Sequence, residues 1–185
     1  MTKIRDGAGT GNMVRVTSTN RLSTVSEVQS SFAVISAESG GAFAISTQAT
    51  IAVGASVERG ILFVQNDSAT PLVIGGFQVG NEGTGIWRAY LNPTGFSAAG
   101  VAVTPQNLNL SSGRTFGGTA ERGNGTVTVS GGTIGFLGGV AAGFNELGVE
   151  GALILGLGNS VALSFEDTSA ASNDVEANIL AAFAQ

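Results

Sequence analysis

The sequence predicts an all-β protein, an antiparallel β-sandwich with an extended N-terminal arm, and three observations carry that prediction. Beyond Ser31 the chain runs in short apolar segments rich in β-branched and aromatic residues. Gly, Asn, Asp and Pro separate these segments at close spacing, which is the punctuation of strands joined by turns. No long amphipathic helical pattern follows, so the βαβ alternation of a Rossmann or TIM architecture has no support.

Residues 1–30 read as an arm or linker. Their pattern is polar and weakly periodic, opening on Gly7, Gly9 and Gly11. Leu22, Val25 and Val28 recur at three-residue spacing, which allows one short helix over Leu22–Ser31. Residues 31–185 read as a single β-sandwich domain, a length ample for a two-layer core.

The expected strands, in order, are Phe32–Ser36, Ala42–Thr47, Ile61–Asn66, Leu72–Val79, Ile86–Asn92, Val101–Thr104, Thr115–Ala120, Thr126–Ser130, Ala152–Leu155, Val161–Phe165 and Ala177–Phe183. Asn66-Asp67-Ser68 with Pro71, and Asn92-Pro93-Thr94-Gly95, supply turn chemistry between them, and Gly123-Asn124-Gly125 reads as a hairpin tip. The segment GVEGALILGLG reads as strand, because its glycines each cost a helix roughly 1 kcal/mol relative to Ala. Many short strands without a fixed repeat fit a jelly-roll-like sandwich and not a solenoid or propeller.

Composition points to assembly before chemistry. Only 11% of the 185 residues are charged, against 43% hydrophobic and 29 glycines, where ordinary soluble domains are roughly 25% charged. There is no His and no Cys, so the commonest general base and the thiol nucleophile are missing, as are disulfides and thiolate metal sites. The formal net charge of -5 hides a division: every basic residue lies at or before Arg122, whereas Glu146, Glu150, Glu166, Asp167, Asp174 and Glu176 follow it. In the first thirty residues Lys3, Arg5, Arg15 and Arg21 outnumber Asp6 and Glu27, which favours docking on an acidic protein surface but is too sparse for nucleic acid.

Motifs of chemistry are weak. DGAGTG at Asp6–Gly11 lacks the preceding strand, the following helix and the Gly-Lys-Ser/Thr of a phosphate loop, and reads as a turn or extended segment. Glu166, Asp167, Asp174 and Glu176 have no calcium-loop spacing and read as a solvated loop between strands. Asn66, Asn109 and Asn124 begin Asn-x-Ser/Thr triplets, which turn chemistry explains for two of them. The single Trp87 and single Tyr90 are a thin aromatic supply for a sugar platform; exposed together on one face they would favour carbohydrate binding, and both buried a purely structural part. No catalytic, cofactor-binding or metal-ligating residue is nominated, and no cofactor. Lys3 and Arg5 are followed by DGAGTGN and not by an apolar run, so no secretory signal is expected, and the uncharged stretch Gly123–Asn145 is too rich in Gly, Thr, Ser and Asn for a membrane span.

The order of several segments resembles a family, the small virion structural proteins of tailed bacteriophages. These are DGAGTG followed by VTSTNRLST, then ILFVQNDSATPLVIGGFQVG, WRAYLNPTG, PQNLNLSSGR and LGLGNSVALSFEDTSAASNDVEANILAAF, which together span most of the chain. The resemblance implies a capsid-decorating, cement or tail-associated protein with a jelly-roll-like domain, commonly trimeric. The expectation is a non-enzymatic cement protein, assembled in a bacterial host cytoplasm, that binds the outer capsid surface as a homotrimer, with the major capsid protein as partner and the arm reaching along it. The alternatives are a tail, baseplate or head-fibre component, or a decoration module for surface carbohydrate. The charge-free segment Ala89–Gly113 is the expected protein-facing region.

Overall fold

The computed structural model describes residues 3–5, 13–16, 22–23, 35–36, 38–96, 100–169 and 171–184, in two compact units, Met1–Ser30 and Ser31–Gln185. In the first unit β1 (Lys3–Arg5), β2 (Met13–Val16) and β3 (Leu22–Ser23) form a three-stranded sheet in which each strand is antiparallel to the next. A helix beginning at Leu22 is therefore not what forms: Leu22 and Ser23 pair with Val16 and Arg15. The rest of that expected helix, and DGAGTG, lie outside the described residues.

The second unit contains β4 (Ala42–Ser46), β5 (Ile51–Val53), β6 (Glu58–Asn66), β7 (Leu72–Asn81), β8 (Gly85–Leu91), β9 (Gly95–Phe96), β10 (Val101–Ala102), β11 (Gln106–Asn107), β12 (Gly118–Arg122), β13 (Val129–Ser130), β14 (Thr133–Val140), β15 (Gly143–Leu155), β16 (Ser160–Asp167) and β17 (Asn173–Phe183). One sheet runs β10-β12-β6-β16-β8-β14, the other β11-β4-β17-β7-β15 with β5 also on β17, and β13-β9 is a separate ribbon.

The longer strands explain the architecture. β4 pairs with β17, β6 with β16, β7 with β15 and β8 with β14, the outermost of the series with each other and the innermost with each other. Contacts of β17 with β7 and of β16 with β8 then close the roll. This is an antiparallel ribbon wound on itself into two sheets, a jelly-roll-like sandwich.

Alternation places the core. In β17 the pattern of buried and more exposed positions is strict from Asn173 to Ile179, and Phe43, Ile45, Phe77, Trp87, Phe165, Ile179 and Phe183 pack together with almost no exposure. Phe77 of one sheet meets Phe136 of the other edge to face, their centroids 5.9 Å apart, a geometry that aromatic quadrupoles favour. The Trp87 ring lies tilted by 55° against Phe165, centroids 5.0 Å apart, and its indole N–H donates to Asn81 Oδ1 across the sandwich at 3.3 Å.

β16 is buried along nearly its whole length, on both faces. Its outer face is roofed near β6, where the Phe96 ring stacks on Phe63 at 5.5 Å and the Gly60 amide donates to the Val127 carbonyl at 2.9 Å. Gly60 is required there: a Cβ would stand 2.6 Å from the Phe96 ring and 3.0 Å from Val127.

Three local expectations are corrected. Ile35 and Ser36 are helical, not strand; Gly40 and Gly41 close the turn by donating to the Ser36 and Ile35 carbonyls, and Gly40 has the positive φ of 59° that commonly ends a helix. Gly123-Asn124-Gly125 is no hairpin tip, because β12 and β13, which flank it, pair with different strands. Most consequential, β5, β14 and the first half of β15 form where no strand was expected.

Candidate functional site

The best-gathered ionisable groups lie on the outer face of the first sheet. Glu58 and Glu166 are direct cross-strand partners, a placement that like charges alone would oppose. Arg88, on the adjacent strand, resolves the conflict. Its Nη2 donates to Glu166 Oε2 at 2.5 Å and its Nη1 stands 3.2 Å from Glu58 Oε2. Glu58 Oε1 also accepts from the Tyr90 hydroxyl at 2.8 Å and the Ser164 hydroxyl at 2.6 Å.

Burial by itself lowers the Arg88 pKa, but the bond to Glu166 and the charges of Glu58 and Glu166 outweigh it, so the pKa is raised. Burial, and then the bond to Glu58, raise the Tyr90 pKa. Both groups hold their protons at neutral pH, and every member is bonded to another member. The network is a clamp across β6, β16 and β8, with neither Arg88 nor Tyr90 titrating near neutrality as general acid–base chemistry prefers.

The acids expected in a solvated loop are placed otherwise. Glu166 and Asp167 lie in β16, Asp174 and Glu176 in β17. Asp167 is fully buried and its Oδ1 accepts from the Ser169 amide at 2.7 Å, so it is a turn lock. Among the described residues no three of the side chains that ligate metals converge.

Asn66 is buried and spends its side chain on the fold: Nδ2 donates to the Thr70 and Leu155 carbonyls at 3.0 and 2.8 Å, and Oδ1 accepts from Ser68 N at 2.9 Å. Turn chemistry is its role. Trp87 and Tyr90 do not form a platform, since Trp87 is 1% exposed and faces the core while Tyr90 faces outward and is half-buried.

Two further surfaces stand out. The first is the pair of sheet margins. β14 and β15 end their respective sheets on one side, 8 and 13 residues long, and β10 and β11 end them on the other with 2 residues each. Ile134 and Ile154 are exposed at the long margin, and Val101, Leu108 and Leu110 on the segment forming the short one, Leu110 at 93%. The expected protein-facing segment Ala89–Gly113 thus supplies that short margin.

The second surface is a depression of about 580 Å³ on the outer face of the second sheet, lined by Gln48, Gln78, Asn178, Glu176 and Phe144 among others. A smaller one of about 240 Å³ shares Thr50, Phe144 and Glu176 with it. Sequence reading missed this surface because Phe144 looks like one more core aromatic, yet it is 65% exposed.

Comparison of the chain with protein-family models, with curated proteins and with solved structures finds no match.

Proposed function

We propose that the protein is a non-enzymatic structural subunit, a capsid cement or decoration protein that closes into a homotrimer and binds the outer surface of a phage capsid. The observation that carries the assembly reading is the long margin of β14 and β15, open over 8 and 13 residues save for a register shift in each strand. Long strand edges present unpaired N–H and C=O groups and are ordinarily guarded by Lys, Pro or shortness. From Thr133 to Leu155 there is no Lys, Arg or Pro, and only Glu146 and Glu150 are charged.

The short margin is a suitable counterpart. It carries the exposed Val101, Leu108 and Leu110, with Arg114 beside β11 and Arg122 paired to Val101. Exposed apolar side chains stand on both margins. Because the two surfaces differ and lie on opposite sides of the sandwich, their contact is head-to-tail, which closes into a ring such as a trimer when the rotation allows. The capsid assignment rests on the resemblance of segment order described above. In this reading the trimer bridges neighbouring capsid subunits, and the burial of apolar area at about 25 cal/mol per Å², repeated over a shell, resists the pressure of packed DNA.

Sedimentation velocity at micromolar concentration tests the assembly, with a trimer mass expected and a monomer mass contradicting it. For the capsid role, particles lacking the protein are expected to burst at lower temperature and milder osmotic shock than complete ones. Equal survival removes the cement reading and leaves a tail, baseplate or head-fibre place.

A further inference from the structure

The depression on the outer face of the second sheet is built by register. Counting across that face, Phe144 of β15 pairs with Gly80 of β7, which pairs with Glu176 of β17. Two residues along, Glu146 pairs with Gln78, which pairs with Asn178, which pairs with Ser46 of β4. Side chains two apart in a strand share a face, so these form two adjacent outward rows.

Gly80 leaves the trough. Between an exposed aromatic ring and a carboxylate there is no side chain, and a Cβ at Gly80 would approach Glu176 Cγ at 3.0 Å. The floor beside it is amide chemistry, with Asn178 Nδ2 donating to Gln78 Oε1 at 3.0 Å. Gln48 stands at the rim with its own amide tied to the Thr104 carbonyl at 3.0 Å, which holds it in place.

We propose that this trough is a binding site for neutral saccharides. A ring such as Phe144 accepts the apolar C–H face of a sugar, while side-chain amides and a carboxylate offer paired donors and acceptors to its hydroxyls. No lining residue is basic, so anionic sugars find no counter-charge, and Glu176 with the neighbouring Asp174 repels them. The volume of about 580 Å³ lies within the range of small-molecule sites and suits two or three sugar units. Such a site would give a subunit displayed in many copies an avidity that no single trough has. Binding requires only the trough, so it is separable from the trimer and capsid readings.

The test is calorimetry and amide chemical-shift mapping on the full chain with neutral trisaccharides of glucose, mannose, galactose and N-acetylglucosamine. Trigalacturonate and spermidine are the charged comparators. At least one neutral trisaccharide is expected to bind with a Kd of about 1 mM or tighter, shifting the side-chain amides of Gln78 and Asn178. Phe144→Ala is expected to weaken it about tenfold, and Asn178→Ala and Gly80→Thr, which fills the trough, at least as much. Leu157→Ala, at an exposed position outside the lining of the trough, leaves it unchanged. Phe144 is exposed, so its truncation leaves the melting temperature intact and the fold is not in question. Absence of binding by every neutral trisaccharide at 10 mM, binding by a charged comparator alone, or binding indifferent to Phe144→Ala and Gly80→Thr overturns the proposal.

Discussion

The two margins of the sandwich solve the same problem in opposite ways. At the short margin β10 and β11 are cut to 2 residues each, Pro105 stands between them, and side chains finish the hydrogen bonding. Asn107 alone donates to the Gly40 and Arg114 carbonyls at 2.8 and 2.9 Å and accepts from the Asn109 amide at 2.8 Å. At the long margin β14 and β15 are left with one bonded neighbour each and exposed Ile134 and Ile154. A chain that guards one edge has the means to guard the other. The difference marks the open edge as the surface on which the proposed subunit contact rests, a feature that elsewhere is an aggregation hazard.

The largest expected effect comes from charging the open edge. Ile134→Lys with Ile154→Lys places two cations on exposed positions, where substitutions ordinarily change stability by no more than about 0.5 kcal/mol. The proposed trimer is expected to fall to monomers in sedimentation at micromolar concentration, with the melting temperature nearly unchanged.

Charging the other margin sharpens the comparison. In a head-to-tail ring, Leu108→Lys with Leu110→Lys also yields monomers, and an equimolar mixture of the two double variants gives a species of dimer mass that grows no further. In a two-fold assembly of open edge on open edge, the second variant would remain associated by itself, and that result breaks the proposed pairing of unlike margins.

A smaller effect separates guarding from contact. Asn107→Ala leaves carbonyls at the short margin without their donor, at a cost of about 1–3 kcal/mol. Hydrogen exchange is expected to quicken in β4 and β11 while β14 and β15 keep their rates. Equal quickening at both margins would mean that they are not independent.

Between the margins, Arg88→Met removes the cation that reconciles Glu58 with Glu166 and is expected to cost on the order of 2 kcal/mol, as for a hydrogen bond to a charged group, read by urea denaturation. Smallest is the alkaline effect at Tyr90, the sole tyrosine. Its pKa is raised in the folded chain by burial and then by the Glu58 bond, so the folded state holds the proton more tightly than the unfolded state. The stability it contributes is intact below about pH 10 and is lost as pH rises through the folded value. Absorbance at 295 nm is expected to titrate later in native protein than in urea, and Tyr90→Phe to flatten the alkaline loss of stability.

Much of the fold is legible in the sequence because buried strands write their alternation into it. The strands β6, β7, β8, β16 and β17 lie in the middle of their sheets, and their runs of apolar residues mark them as strands by spacing alone. The segment TIGFLGGVAAGFNEL carries no such mark, since glycine is depleted in strands and its apolar residues do not alternate cleanly. There β8 and β7 decide the matter by pairing with it. Trp87 and Tyr90 draw attention as the rarest aromatics, but closeness in sequence does not mean a shared face, and successive strand positions such as Trp87 and Arg88 point to opposite sides.

By itself the sequence determined an all-β protein, charge-poor, without the histidine or cysteine on which most neutral-pH catalysis relies, because composition and apolar spacing are properties of the chain alone. Only the tertiary structure decided which strand ends up at a margin, that Glu58 and Glu166 share Arg88, and that Phe144, Gly80 and Glu176 line up across three strands. Those are matters of register between segments distant in sequence, and register is set by how both faces of a sheet are buried, which no local pattern encodes.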